Sequence, residues 1–114
     1  MEPEEAYNRG FSLRCEGKYG EARMYLQVTL NAIPDHVNAR WQMALIKGFE
    51  GDFDGSLDDL RLLAEQHPDN IDVLNDLAMT NMMLGNQDEA CAEFHKILAI
   101  NPDHENAQRQ VRYC

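Results

Sequence analysis

Cysteine is scarce in this chain, at three among 114 residues. Cys15, Cys91 and Cys114 form no CxxC pair and cannot all be bridged to one another, which argues against both a thiolate zinc site and a disulfide-framework fold. The expectation is a reduced, cytoplasmic setting, with Cys15 and Cys91 as small apolar fillers within helices and Cys114 as an exposed free thiol. Long apolar runs are also missing: no uncharged apolar stretch approaches the roughly 20 residues needed to span a bilayer. The opening Met1-Glu-Pro-Glu-Glu has neither the basic start nor the apolar run of a signal peptide.

Positive charge is in short supply. Ten Lys and Arg stand against twenty Asp and Glu, for a formal net charge of -10, so phosphate backbones and anionic lipid surfaces are repelled. Neither nucleic acid nor a membrane is expected as a partner. Between Gly48 and His95 the sequence carries twelve acidic residues and one cation, Arg61. That stretch reads as an anionic surface, suited to solubility or to attracting a basic partner.

Motifs for chemistry are lacking too. His36, His67, His95 and His104 have no HExxH or paired-ligand spacing and read as turn or surface residues, so no metal is expected. Asp52, Asp54 and Ser56 faintly follow a calcium loop, but Leu57 and Leu63 stand where that loop needs glycine and a bidentate glutamate. No Ser, Cys or His lies in a nucleophile elbow, and no phosphate-binding glycine loop occurs. The expectations are no catalytic residue, no cofactor and no enzyme activity.

What the sequence does have is a period of 34 residues. Prolines fall at 34, 68 and 102, glycines at 17, 51 and 85, and small residues at Ala22, Ser56 and Ala90. Gly10, Ala44 and Ala78 keep the same step, as do Leu26, Leu60 and Phe94. Such a period marks repeated supersecondary units. Glycine ends a helix in the left-handed conformation without a side-chain penalty, and proline cannot continue one, so the two series mark alternating turns. Small residues opposite a large one let paired helices approach closely. The spacing predicts helices over 3–16, 19–31, 37–50, 53–66, 71–84 and 87–99, with a seventh from about 104. Asp52, Asp54, Asp69, Asp72, Asp88 and Asp103 sit at or near helix starts, where carboxylates cap free amides.

Taken together, Gly10, Leu13, Gly17, Tyr19, Ala22, Leu26 and Pro34, then Gly51, Phe53, Leu60 and Pro68, then Leu77, Ala78, Gly85, Ala90, Phe94 and Pro102 resemble the tetratricopeptide repeat family over residues 3–104. The resemblance implies an all-α, right-handed α-solenoid of three helical hairpins plus a C-terminal capping helix. It makes 1–114 a single domain, with repeats at about 3–36, 37–70 and 71–104 and a cap at about 105–114. Arg112 occupies a site that is Gly or Ala in the repeats, which suits a cap. Ala6, Arg40 and Leu74 stand where the family often has Trp, and Arg9 replaces an aliphatic residue.

In this family the first helix of each hairpin lines a concave groove. Carried over by position, the groove residues are Tyr7, Asn8 and Phe11, then Asn38, Trp41, Gln42 and Leu45, then Asp72, Asn75, Asp76 and Met79, with Glu4 alongside. Tyr7/Phe11 and Trp41/Leu45 are four apart and so share a helical face. The function this implies is a protein–protein interaction module, an adaptor or chaperone-like scaffold that holds a peptide or helix with apolar and basic residues. Alternatives are a structural or self-assembling segment of a longer array, or an accessory domain of a larger protein. Self-association stays open. An acidic C-terminal tail is an unsuitable ligand, because Asp72 and Asp76 stand where such a clamp needs cations.

Overall fold

The structure, a computed structural model, describes residues 1–114 and is all-helical. The helices are α1 (Pro3–Cys15), α2 (Tyr19–Ala32), α3 (Val37–Phe49), α4 (Phe53–Gln66), α5 (Ile71–Met83), α6 (Gln87–Ile100) and α7 (Glu105–Gln110), closed by a 3-10 turn, Val111–Tyr113. Every boundary of the first six lies within one residue of the expected one. The turn chemistry explains this. Gly17, Gly51 and Gly85 have φ of 79°, 94° and 82°, a region that side chains disfavour. In each of these turns the residue after the glycine donates its amide back into the preceding helix, as Lys18 does to Leu13 at 2.9 Å.

The caps differ from expectation. His36, Asn70 and His104 occupy one register of the repeat, and each accepts from the amide three residues on, at Ala39, Val73 and Ala107. Imidazole Nδ1 does the work of an asparagine carbonyl. Among the aspartates placed near helix starts, Asp52 caps α4 by accepting from the Gly55 amide at 2.9 Å, while Asp54, Asp72 and Asp88 lie in first turns.

The residues fall into two compact units, 1–56 and 57–114, with the boundary inside α4. In the first, α1 and α2 pack as a hairpin with α3 beside them around Ala22, Leu26, Ala39 and Ile46. A Cβ on Gly10 would lie 2.7 Å from Leu26 Cγ, so the close approach of α1 and α2 excludes any side chain there. Thr29, fully buried, donates to the Pro3 carbonyl at 2.9 Å and ties the end of α2 to the start of α1.

In the second unit, α5 and α6 enclose Leu74, Ala78, Ala90, Phe94 and Ile97, with Ala107 of α7 and Val111 laid against them. Leu57, Leu60 and Leu63 of α4 are buried as well. Arg112 lies exposed in the closing turn.

The cysteines require a correction. Cys91 and Cys114 are joined in a disulfide with their Cα atoms 5.8 Å apart, so Cys114 is not a free thiol and Cys91 is not a filler. Cys15 is the free cysteine, and it is exposed. Scarcity hid the pair because its partners lie 23 residues apart, on a helix and on the terminal turn that folds back against it. The cysteine argument for a reduced compartment therefore falls away. No helix is long and apolar enough to cross a membrane.

Candidate functional site

The groove residues divide between the two units. In the first, α1 supplies Tyr7, Asn8 and Phe11, and α3 supplies Asn38, Trp41, Gln42 and Leu45. Tyr7 and Phe11 are ring neighbours at 6.2 Å, as their spacing predicts. Phe11 leaves 40% of its surface in solvent, and Tyr7, Trp41 and Leu45 are half-buried. Asn8 and Asn38 are exposed.

Gln42 is not open to solvent. It is buried, and its Oε1 accepts from Arg14 Nε at 2.7 Å while its side chain also hydrogen-bonds Tyr7. Buried and bonded to both neighbours, the amide links α1 to α3. Burial pushes the Tyr7 phenol above its ordinary value, and the Arg14 guanidinium opposes that rise.

Arg14 joins the rings into a strip. Its guanidinium lies 5.3 Å from the centre of Phe11 and 5.9 Å from that of Phe49. Phe49, 55% exposed, in turn stacks on Tyr19 at 5.6 Å. Each contact is favourable, since a cation over a ring gains about 0.5–1 kcal/mol at exposed sites. Large rings left in water on both sides of one cation are the surface a soluble protein normally buries.

Sequence reasoning missed Arg14, Phe49 and Tyr19 as members of this surface. The Phe11/Arg14 spacing of three was a visible signal, whereas the Tyr19/Phe49 stack exists only once α2 and α3 are packed. At the other end of the strip, the His36 ring lies 5.0 Å from Tyr7 and its Nε2 meets Glu4 Oε1 at 2.7 Å. With Nδ1 engaged in capping, Nε2 carries the proton and donates to Glu4.

In the second unit, α5 carries Asp72, exposed, and Asn75, Asp76 and Met79, half-buried. Asn106 of α7 reaches this face, donating to Asn75 Oδ1 at 2.6 Å and meeting Met79 Sδ at 3.6 Å. Elsewhere in this unit, Glu93 of α6 is a buried carboxylate whose two oxygens accept from one amide group, Asn81 Nδ2, at 3.1 and 3.0 Å. Burial raises its pKa above the ordinary carboxylate value. It borders a cavity of about 350 Å³ shared with Arg61, Pro68, Leu74, Leu77 and Lys96. Arg61 is paired with Glu89 at 2.6 Å, so part of the acidity in this stretch is already answered.

A helical-repeat fold bearing exposed rings and polar side chains on its helices defines the class of protein-interaction modules. The tetratricopeptide repeat model matches residues 50–111, more than half of the sequence, and the chain belongs to that family. Solved structures agree on the fold. Among them, a MamA AMB-1 structure superposes with a TM-score of 0.79 at 23% identity, covering 99% of this chain and 62% of its own. The first TPR of Spaghetti (RPAP3), bound to the HSP90 peptide SRMEEVD, gives 0.85 at 17% identity, covering 97% of this chain and 88% of that one. YrrB, described as a TPR protein with an unusual peptide-binding site, gives 0.81 at 26% identity, covering 96% and 57%. This chain thus spans less than two thirds of the MamA and YrrB chains. No curated protein matches the sequence.

Proposed function

We propose that this chain binds a segment of a partner protein, with apolar side chains of that segment seated on the strip formed by Tyr7, Phe11, Arg14 and Phe49 in the first unit. The carrying observation is the solvent exposure of Phe11 and Phe49 on either side of Arg14. Rigid rings of this kind are the usual anchors of interfaces, because they bury large area at little entropic cost.

Charge defines the rest of the partner. The excess of twenty acidic over ten basic residues favours Lys or Arg near the apolar anchors. The tail in the RPAP3 structure is of the opposite kind, being acidic. On this reading the module is non-catalytic, acts as a cytoplasmic adaptor or chaperone-like scaffold, and works as a single domain. The share of MamA and YrrB that the chain covers supports a second reading, in which the same surface packs within a longer repeat array.

Selection from a displayed random-peptide pool tests the first reading. Enrichment of Leu, Phe or Tyr beside Lys or Arg, lost with the Phe11→Ala protein, is the expected result. Enrichment of acidic peptides, or of none, would overturn it.

A further inference from the structure

The Cys91–Cys114 pair closes a loop over the least self-sufficient part of the second unit. Helix α7 has only six residues, and Ala107 is its one buried side chain. A helix so short is unstable on its own in water. The closing turn that follows it has no fully buried side chain, with Arg112 and Tyr113 exposed and Val111 half-buried. Nevertheless this segment covers the apolar core at Leu74, Ala78, Phe94 and Ile97 and holds Asn106 on Asn75.

Besides the bond, Ala107 and Val111 on the core and Asn106 on Asn75 and Met79 are what tie it to the rest of the unit. The amide of Gln108 donates to the His104 carbonyl at 3.0 Å, and the Gln108 side chain to the Pro102 carbonyl at 2.7 Å. These two bonds, unlike those of Asn106, lie within the segment and its own turn. Cys114 is exposed, while Cys91 is half-buried on α6. Disulfides open to solvent are the labile, regulatory ones, because exchange needs access.

We infer that Cys91 and Cys114 form a redox latch: as a disulfide the pair fastens α7 and the closing turn onto α6, and as two thiols it lets them fray from the core. The exchange balances with a low-molecular-weight disulfide such as oxidised glutathione. The Cys114 thiolate attacks it, forming a mixed disulfide and releasing one thiol. The Cys91 thiolate then attacks the Cys114 sulfur, releasing the second thiol. Two electrons pass from the protein pair to the small disulfide, and each departing thiolate takes a proton. Reduction runs the same path backwards. The latch goes beyond the proposed peptide surface and does not depend on it.

The test uses the full chain carrying Cys15→Ser, which leaves only the pair. The protein is equilibrated over a range of glutathione ratios and read by thiol counting, hydrogen exchange and thermal melting. The pair should pass from disulfide to dithiol within that range. Amides of residues 108–113 should then exchange at least about tenfold faster, and the melting temperature should fall by roughly 5 °C or more. Cys114→Ser, a change at an exposed position, should match the reduced protein and ignore reductant. Cys91→Ser should behave the same way if it folds.

Three results would overturn the latch. The pair could stay reduced at the most oxidising ratio, or stay oxidised at the most reducing one, which would make it a fixed staple. Alternatively, the bond could form with exchange at 108–113 unchanged, so that it fastens nothing.

Discussion

Arg14 donates from Nε to Oε1 of the buried Gln42 at 2.7 Å, linking α1 to α3 beneath the exposed aromatic strip. Replacing Gln42 by Leu removes the acceptor and leaves Arg14 held only by the rings. Hydrogen bonds to charged groups contribute about 1.5–3 kcal/mol, and the part-buried setting of Arg14 places this one near the lower end. Gln42→Leu should therefore destabilise the protein by about 1.5 kcal/mol in urea unfolding. A loss of less than a few tenths of a kcal/mol would mean that solvent replaces the bond freely.

The capping register makes a paired prediction. His104→Ala should cost about 1 kcal/mol and speed amide exchange in α7, since the Ala107 amide loses its acceptor. His104→Asn should recover most of that loss, because Asn70 makes the same bond to Val73 at the equivalent position. Equal damage from both substitutions would show that the ring acts by packing rather than by capping.

Glu93 should make stability depend on pH. Its folded pKa is raised by burial, so between the unfolded and folded values the native state holds the proton while the unfolded state has released it. Stability from this group is then full below the unfolded value and is lost as pH rises through the folded one. Glu93→Gln, which retains an acceptor for Asn81, should be more stable than wild type at neutral pH and equal to it in acid. Glu93→Leu should be destabilised by about 1–3 kcal/mol, because the buried Asn81 amide loses its acceptor. A flat difference between Glu93→Gln and wild type across pH would remove Glu93 as the source.

The helical framework was legible because its signals are local and repeated. Gly17, Gly51 and Gly85 need positive φ, and Gly10 needs to lack a Cβ, so both turns and close approaches are written as residue types at fixed spacing. The site was legible only along single helices. Tyr7 with Phe11 follows from a spacing of four, but the Tyr19–Phe49 stack and the Arg14–Gln42 bond join residues 30 and 28 apart, which no helical period relates. Gln42 illustrates the same limit. Its register placed it among the groove residues, and only its neighbours decide that its amide faces Tyr7 and Arg14. Likewise, three cysteines with no motif gave no hint that the outermost one folds back onto α6.

Phe94 should be the costliest single truncation among the core residues. It is 1% exposed and fills the second unit against Leu74, Ala78 and Ile97. Phe94→Ala should cost about 3–5 kcal/mol, and Leu60→Ala, also fully buried, about 2–5 kcal/mol. Unfolding by urea with both values under about 1 kcal/mol would contradict the packing described.

The central claim is that the exposed strip around Arg14 receives apolar anchors from a basic segment. Trp41, the single tryptophan, lies on α3, the helix that also carries Phe49. The decisive measurement is a fluorescence titration with two synthetic peptides, one carrying leucine and phenylalanine among lysines and the other the acidic SRMEEVD sequence. Trp41 emission should change saturably with the basic peptide and not at all with the acidic one. Phe11→Ala, still folded, should weaken the basic peptide by about 2 kcal/mol, roughly 30-fold. Preference for the acidic peptide, or undiminished binding to the Phe11→Ala protein, would contradict the central claim.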